Sequence, residues 1–193
     1  MTDKTATVDD LPLLERRRIE AMVLIPVIRA MQARFGVDEV NEVVADAIKN
    51  LAREQGAAQR EAHPIATVVE LSDRFRRGGP VSEGSLTIDV VEDDAERFGF
   101  NVTRCQFVEM YDDLDAGELG FLLSCNRDFA SFEGMAPDLE FNRTQTRMQG
   151  AAHCDFRYRR LRSYADGHVL WTSTSGPGEP DAPAFGHARR VYN

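Results

Sequence analysis

The sequence has little of what staples a chain, anchors it in a membrane or draws it to a polyanion. It holds 3 cysteines, 1 tryptophan and 4 histidines among 193 residues. An odd, low cysteine count makes no disulfide framework. A chain of this length needs none, because it can bury roughly 70% of its extended surface in one core. The longest apolar run, Ala21 to Ile28, falls well short of the ~20 residues a bilayer span requires. The opening residues, MTDKTATVDD, are polar and acidic and form no charged-then-apolar leader. These absences predict a soluble cytoplasmic protein with reduced thiols and no membrane partner. Basic residues are scarce too: 23 Lys and Arg face 32 Asp and Glu, a net charge of −9. The one basic cluster, Arg157, Arg159, Arg160 and Arg162, splits between the two faces of a strand. No nucleic-acid partner is therefore expected.

What is present reads as helices followed by strands. A loose tail covers residues 1–9, and Asp10 can cap a helix with Pro12 in its first turn. That helix runs to Phe35. Its middle, AMVLIPVI, is apolar on nearly every side and predicts burial between other elements, or a homodimer contact; Pro26 predicts a kink. A second helix over residues 37–55 carries Val37, Val40, Val43, Val44, Ala47, Ile48 and Leu51 on one stripe, and Gly56 is read as its end. A third covers residues 65–77, with Ile65, Val68, Val69 and Phe75 inward. The period then changes to two. LTIDVVE and FNVTRC form a hairpin, residues from Gln106 a short helix, and residues 116–129 another. The segment 141–160 predicts a strand, a tight turn and a second strand. Ser163 to Trp171 reads as one more short strand within an irregular extension, residues 163–193. The expected fold class is α+β: helices packed on an antiparallel sheet built from two hairpins, in a single domain over residues 10–162.

Reactive groups are densest in FNRTQTRMQGAAHCDFRYRR, residues 141–160. Alternation along its second strand sets Cys154, Phe156 and Tyr158 on one face and Asp155, Arg157 and Arg159 on the other. Cys125 and Asp128 are three apart on a helix and share a face. Cys105 ends the preceding hairpin. If helix packs on sheet, the three thiols approach one another. Their spacing matches no zinc template, so neither a metal nor another cofactor is expected. His63, His168 and His187 fall in loop or tail contexts and read as solvated. Each candidate has a plainer role. Cys154 serves equally as a small buried hydrophobe. Arg143 can pair structurally with Asp128 or Asp155, Asp128 can act as a cap, and Thr144 suits an ordinary strand.

Taken together, Cys105, Cys125-Asn126-Arg127-Asp128-Phe129, Arg143-Thr144-Gln145-Thr146, Gln149-Gly150 and Cys154-Asp155-Phe156-Arg157-Tyr158 resemble the motif series of the L-2-amino-thiazoline-4-carboxylic acid hydrolase family. The resemblance spans about residues 15 to 162. It implies a small-molecule substrate, a cyclic amidine opened on the way to cysteine. It also implies a nucleophile at the amidine carbon, a proton donor and an anchor for the substrate carboxylate. On that reading Cys154 is nucleophile or site thiol, with a pKa lowered by His153, and Cys125 and Cys105 are second choices. Asp128 or Asp155 is the acid/base, and Arg143, with Thr144 beside it, anchors the carboxylate. The order of elements also resembles four-vinyl-reductase-type ligand-binding domains, which implies a non-catalytic binding module as the alternative.

Overall fold

The computed structural model describes residues 11–161. The expected N-terminal tail, the Asp10 cap and the expected strand within residues 163–171 lie outside the described residues. Seven α-helices and four strands follow in the order α1 (Leu13–Phe35), α2 (Val37–Ala62), α3 (Val68–Arg77), α4 (Gly79–Ser82), β1 (Leu86–Asp93), β2 (Arg97–Cys105), α5 (Gln106–Asp113), α6 (Gly117–Gly120), α7 (Arg127–Met135), β3 (Leu139–Asn142) and β4 (Cys154–Arg160). The protein is thus α+β, with helices first and an antiparallel sheet after them.

The sheet has the order β1-β2-β4-β3, antiparallel throughout. Register sets Phe98 opposite Tyr158, Phe100 opposite Phe156 and Val102 opposite Cys154. Period-2 alternation turns these six side chains to one face, as expected from the sequence for Cys154, Phe156 and Tyr158. Phe141 of β3 joins them, stacked on Phe156 and Tyr158 with ring centroids 5.4 and 4.8 Å away. Ile65, Leu71, Phe132 and Ala136 cover that face from the helical side. The opposite face is polar. There Arg157 lies over Gly99, where a Cβ would stand 2.9 Å from its Cδ. It donates to the Phe100 carbonyl and to Asn101 Oδ1 at 2.9 and 2.8 Å. A second core joins Ala21, Ile25 and Ile28 of α1, Val40 and Ile48 of α2, and Met110, Tyr111, Leu119 and Leu123.

The second helix departs from expectation at Gly56. It does not end there but runs on to Ala62. Gly56 is buried because α7 crosses at that point: a Cβ on it would stand 2.1 Å from the Ser131 carbonyl oxygen. Gly134 of α7 answers it, 2.2 Å from the Arg53 carbonyl on the same test. These glycines serve close approach of two backbones, not helix termination.

Other expectations shift for identifiable reasons. The third helix starts at Val68, because Thr67 and Glu70 form a capping box. Ile65 is buried just before it, while Val69 is exposed. The segment 116–129 is not one helix: α6 gives way to a π-helical turn, Phe121–Cys125, and α7 continues to Met135. The helix containing Pro26 is continuous, but it is not enclosed. Ala21, Ile25 and Ile28 face inward, while Ile19, Met22, Val23 and Val27 are exposed. The strand expected from residue 141 ends at Asn142. Residues 143–153 form a loop containing a 3-10 turn, Arg147–Gln149, in place of a tight hairpin turn. Among the described residues, no helix is long and apolar enough to cross a membrane.

Candidate functional site

The loop 143–153 departs from the sheet because its polar groups bond locally. The Asp155 carboxylate accepts from the backbone N–H groups of Thr144 and Gln145 at 2.9 and 2.8 Å, and from the Thr144 hydroxyl at 2.6 Å. Such bonds offer the backbone an alternative to the ladder. Thr146, fully buried, caps the 3-10 turn by accepting from the Gln149 N–H at 3.2 Å. Gly150 closes the turn at φ 91°, a left-handed conformation that favours glycine. Met148 docks on α6, where a Cβ at Gly120 would stand 2.3 Å from its Sδ. The loop is therefore fixed at both ends, to β4 through Asp155 and to the helices through Met148.

Arg143 is the first residue of this loop. Its guanidinium sits between two rings, 5.2 Å from the Phe129 centroid and 5.4 Å from that of Phe156. It donates to the Asp128 carboxylate and, at 3.1 Å, to the Cys125 carbonyl. The π-helical turn delivers these partners. Asn126 N–H bonds back to the Phe121 carbonyl at 2.9 Å, five residues away, and Asp128 stands in the first turn of α7. Such turns insert a residue and re-aim the helix beyond them. Only 3% of the Arg143 side chain is exposed, against 37% for Asp128. The pair is a buried cation holding a carboxylate that reaches toward solvent.

Burial raises the Asp128 carboxyl above its ordinary range, and the Arg143 charge and hydrogen bond oppose that shift without cancelling it. The carboxyl is reachable, yet enough protein surrounds it to thin its hydration. The three thiols gather near it. Cys154 begins β4 on the core face, and its sulfur accepts the Arg147 N–H at 3.2 Å. Cys105 closes β2, and Cys125 ends the π turn. The charge of Asp128 acts on all three, and Cys154 acts on the other two. Burial is the main cause raising every thiol, most strongly at Cys125.

The expected residues thus divide. Asp128 and Arg143 bond to each other, Arg143 also holds the Cys125 carbonyl, and the charge of Asp128 is felt at Cys105, Cys125 and Cys154. Asp155 and Thr144 bond to each other and brace the loop. His153 Nε2 lies 2.8 Å from the Gln145 side-chain nitrogen, and the groups acting on the Cys154 thiol are Arg147, Arg143 and Asp128. Sequence reasoning passed over Phe129 and Phe156, the rings that sandwich Arg143. The signal was available, since each lies one or two residues from a candidate in Cys125–Phe129 and Cys154–Phe156. Among the described residues, no group of three or more His, Cys, Asp or Glu is placed to hold a metal ion.

The chain has weak similarity to several solved structures, two of them as follows. One is a trafficking protein particle complex subunit 3 from Naegleria fowleri, covalently bound to palmitic acid. It is 9% identical, with a TM-score of 0.47 over 77% of this chain and 96% of that one. The other is the phenol-responsive sensory domain of the transcription activator PoxR with phenol. It is 8% identical, with a TM-score of 0.43 over 75% of this chain and 76% of that one. No curated protein matches. The family described as L-2-amino-thiazoline-4-carboxylic acid hydrolase matches residues 16–158, a stretch that contains every group gathered around Asp128. The chain belongs to the L-2-amino-thiazoline-4-carboxylic acid hydrolase family.

Proposed function

We propose that this protein is a hydrolase that opens a small cyclic amidine of the 2-aminothiazoline-4-carboxylate type, with Asp128 as its acid/base. One observation carries the reading: Asp128 is pinned by the buried Arg143, its side chain is partly exposed, and its charge acts on three thiols. Water adds to the amidine carbon as Asp128 takes its proton. As the adduct collapses, its hydroxyl proton moves to the ring nitrogen and the carbonyl forms, the carbon–sulfur bond breaks, and the proton held by Asp128 passes to the departing sulfur. The product is N-carbamoyl-cysteine, which is substrate plus one water. A carboxyl whose pKa burial has raised is a stronger base than an ordinary carboxylate and still returns its proton, which suits both halves of this cycle.

Arg143 is the positioning residue in this scheme. Its donors already meet Asp128 and the Cys125 carbonyl, so it fixes the carboxyl more readily than it anchors a substrate carboxylate. Cys154 is a site thiol. Its raised pKa leaves little thiolate at pH 7, which favours water over sulfur as the attacking atom. Asp155 and Thr144 hold the loop that carries Arg143.

The test is incubation with 2-aminothiazoline-4-carboxylate, following N-carbamoyl-cysteine by mass spectrometry. Product is expected from the wild type and from Cys154→Ala at a reduced rate, and little from Asp128→Asn. Absence of product from the wild type would overturn the proposal. The protonated thiols support a second reading, a non-catalytic small-molecule-binding module. That reading predicts a ligand that copurifies and leaves unchanged after long incubation.

A further inference from the structure

The outward face of α1 is apolar over most of its length. Ile19, Met22, Val23 and Val27 are 53, 60, 63 and 50% exposed, and Pro26 and Ala30 are exposed between and beyond them. The helix hides a different set, Ala21, Ile25 and Ile28, so the stripe is surplus to the core. Exposed Glu15 stands before it and exposed Arg34 after it, and both fall on the same helical face. From Glu15 to Arg34 the stripe runs roughly 28 Å at 1.5 Å per residue.

We infer that this face pairs with the same face of a second copy of the chain, the two α1 helices antiparallel. The stripe is complementary to itself about its midpoint. Turned end for end between residues 24 and 25, Glu15 meets Arg34 of the copy, Ile19 meets Ala30, Met22 meets Val27, and Val23 meets Pro26. Each acid falls on a base, and the large Ile19 falls on the small Ala30. A two-fold pair requires such self-complementarity, because every contact occurs twice. Another segment of the same chain would have no reason to match it. Pro26 suits the centre of this contact: it leaves the Met22 carbonyl without a helical donor, on the side where a neighbour or water can supply one. One helix pair is small beside the ~800 Å² per partner of a standard interface, so the association is micromolar and depends on concentration.

Sedimentation velocity on the full chain, from about 1 to 100 μM, tests this. The wild type is expected to pass from monomer to dimer within that range. Val23→Glu, with unchanged circular dichroism and melting temperature, is expected to associate at least ~10-fold more weakly, because it buries an unpaired charge twice. Glu15→Arg and Arg34→Glu are each expected to weaken pairing roughly 5-fold, and the double variant to return within about 2-fold of wild type. A wild type monomeric at every concentration overturns the inference, including one whose α1 amides are protected by its own termini. So does a Val23→Glu dimer as tight as wild type, or a double variant no better than either single.

Discussion

Gly56 of α2 and Gly134 of α7 face each other where their helices cross, with no room for a methyl group on either side. A Cβ would lie 2.1 Å from the Ser131 oxygen at Gly56, and 2.2 Å from the Arg53 oxygen at Gly134. Helix propensity alone makes alanine better than glycine by about 1 kcal/mol. Backbone overlap of this kind costs more, because neither carbonyl can swing away as a side chain does. Gly134→Ala should therefore lose about 1–3 kcal/mol net. For a domain of this size that lowers the melting temperature by several degrees. A variant as stable as wild type would show that the crossing is loose.

Asp128→Asn keeps an acceptor for Arg143 and removes the proton relay. Ring opening should fall about 100-fold or more, with the melting temperature within a few degrees of wild type. Arg143→Met does the converse damage. It strands the Asp128 carboxyl without its cation and empties the space between Phe129 and Phe156. That should cost about 2–4 kcal/mol by chemical denaturation. Equal activity in wild type and Asp128→Asn would remove the carboxyl from the reaction.

The three thiols should be slow to react. Burial raises each of them, and the thiolate is the reacting form. With a chromogenic disulfide at pH 7.5, the native protein should titrate at under ~1% of the rate of free cysteine. All three should appear at once in denaturant. A single fast thiol in the native protein would restore sulfur as the nucleophile.

Tyr111 makes a pH prediction of definite sign. It is buried, and loss of hydration lifts its pKa from 10.0 to about 12. The unfolded chain ionises first, so between those values it holds fewer protons than the native one. Stability is then full below pH 10 and falls as pH rises toward 12, by up to ~3 kcal/mol from this residue. Burial raises Tyr158 in the same direction. Alkaline unfolding curves should be shallower for Tyr111→Phe than for wild type over pH 10–12.

The sequence displayed its periods and its local bonds unequally. The inward stripe of β4 was legible because alternation of Cys154, Phe156 and Tyr158 survives a polar environment. The expectation that Cys105, Cys125 and Cys154 approach one another came from placing one helix on one sheet. Gly56 was misread because termination and close approach call for the same residue, and only the partner helix tells them apart. The loop after Asn142 looked like a strand because alternating Arg143-Thr144-Gln145-Thr146 satisfies a period of two. What diverts it is the Asp155 carboxylate, eleven residues beyond Thr144, and no local window contains that. The first helix was read as enclosed or as a homodimer contact because it is apolar on nearly every side. The structure assigns only one side to the core.

The bracing of loop 143–153 has a thermal consequence. Its shape rests on short local bonds: the side chains of Asp155 and Thr146, three turn bonds of its own backbone, and the Arg147 N–H to the Cys154 sulfur, whereas β2 and β4 share a ladder of six residue pairs. Few bonds in parallel give way together, so this segment is built to loosen at temperatures the sheet survives. Heat would then loosen the segment that follows Arg143 while the aromatic core stays closed, and the proposed ring opening would fade on warming before the sheet melts, then return on cooling.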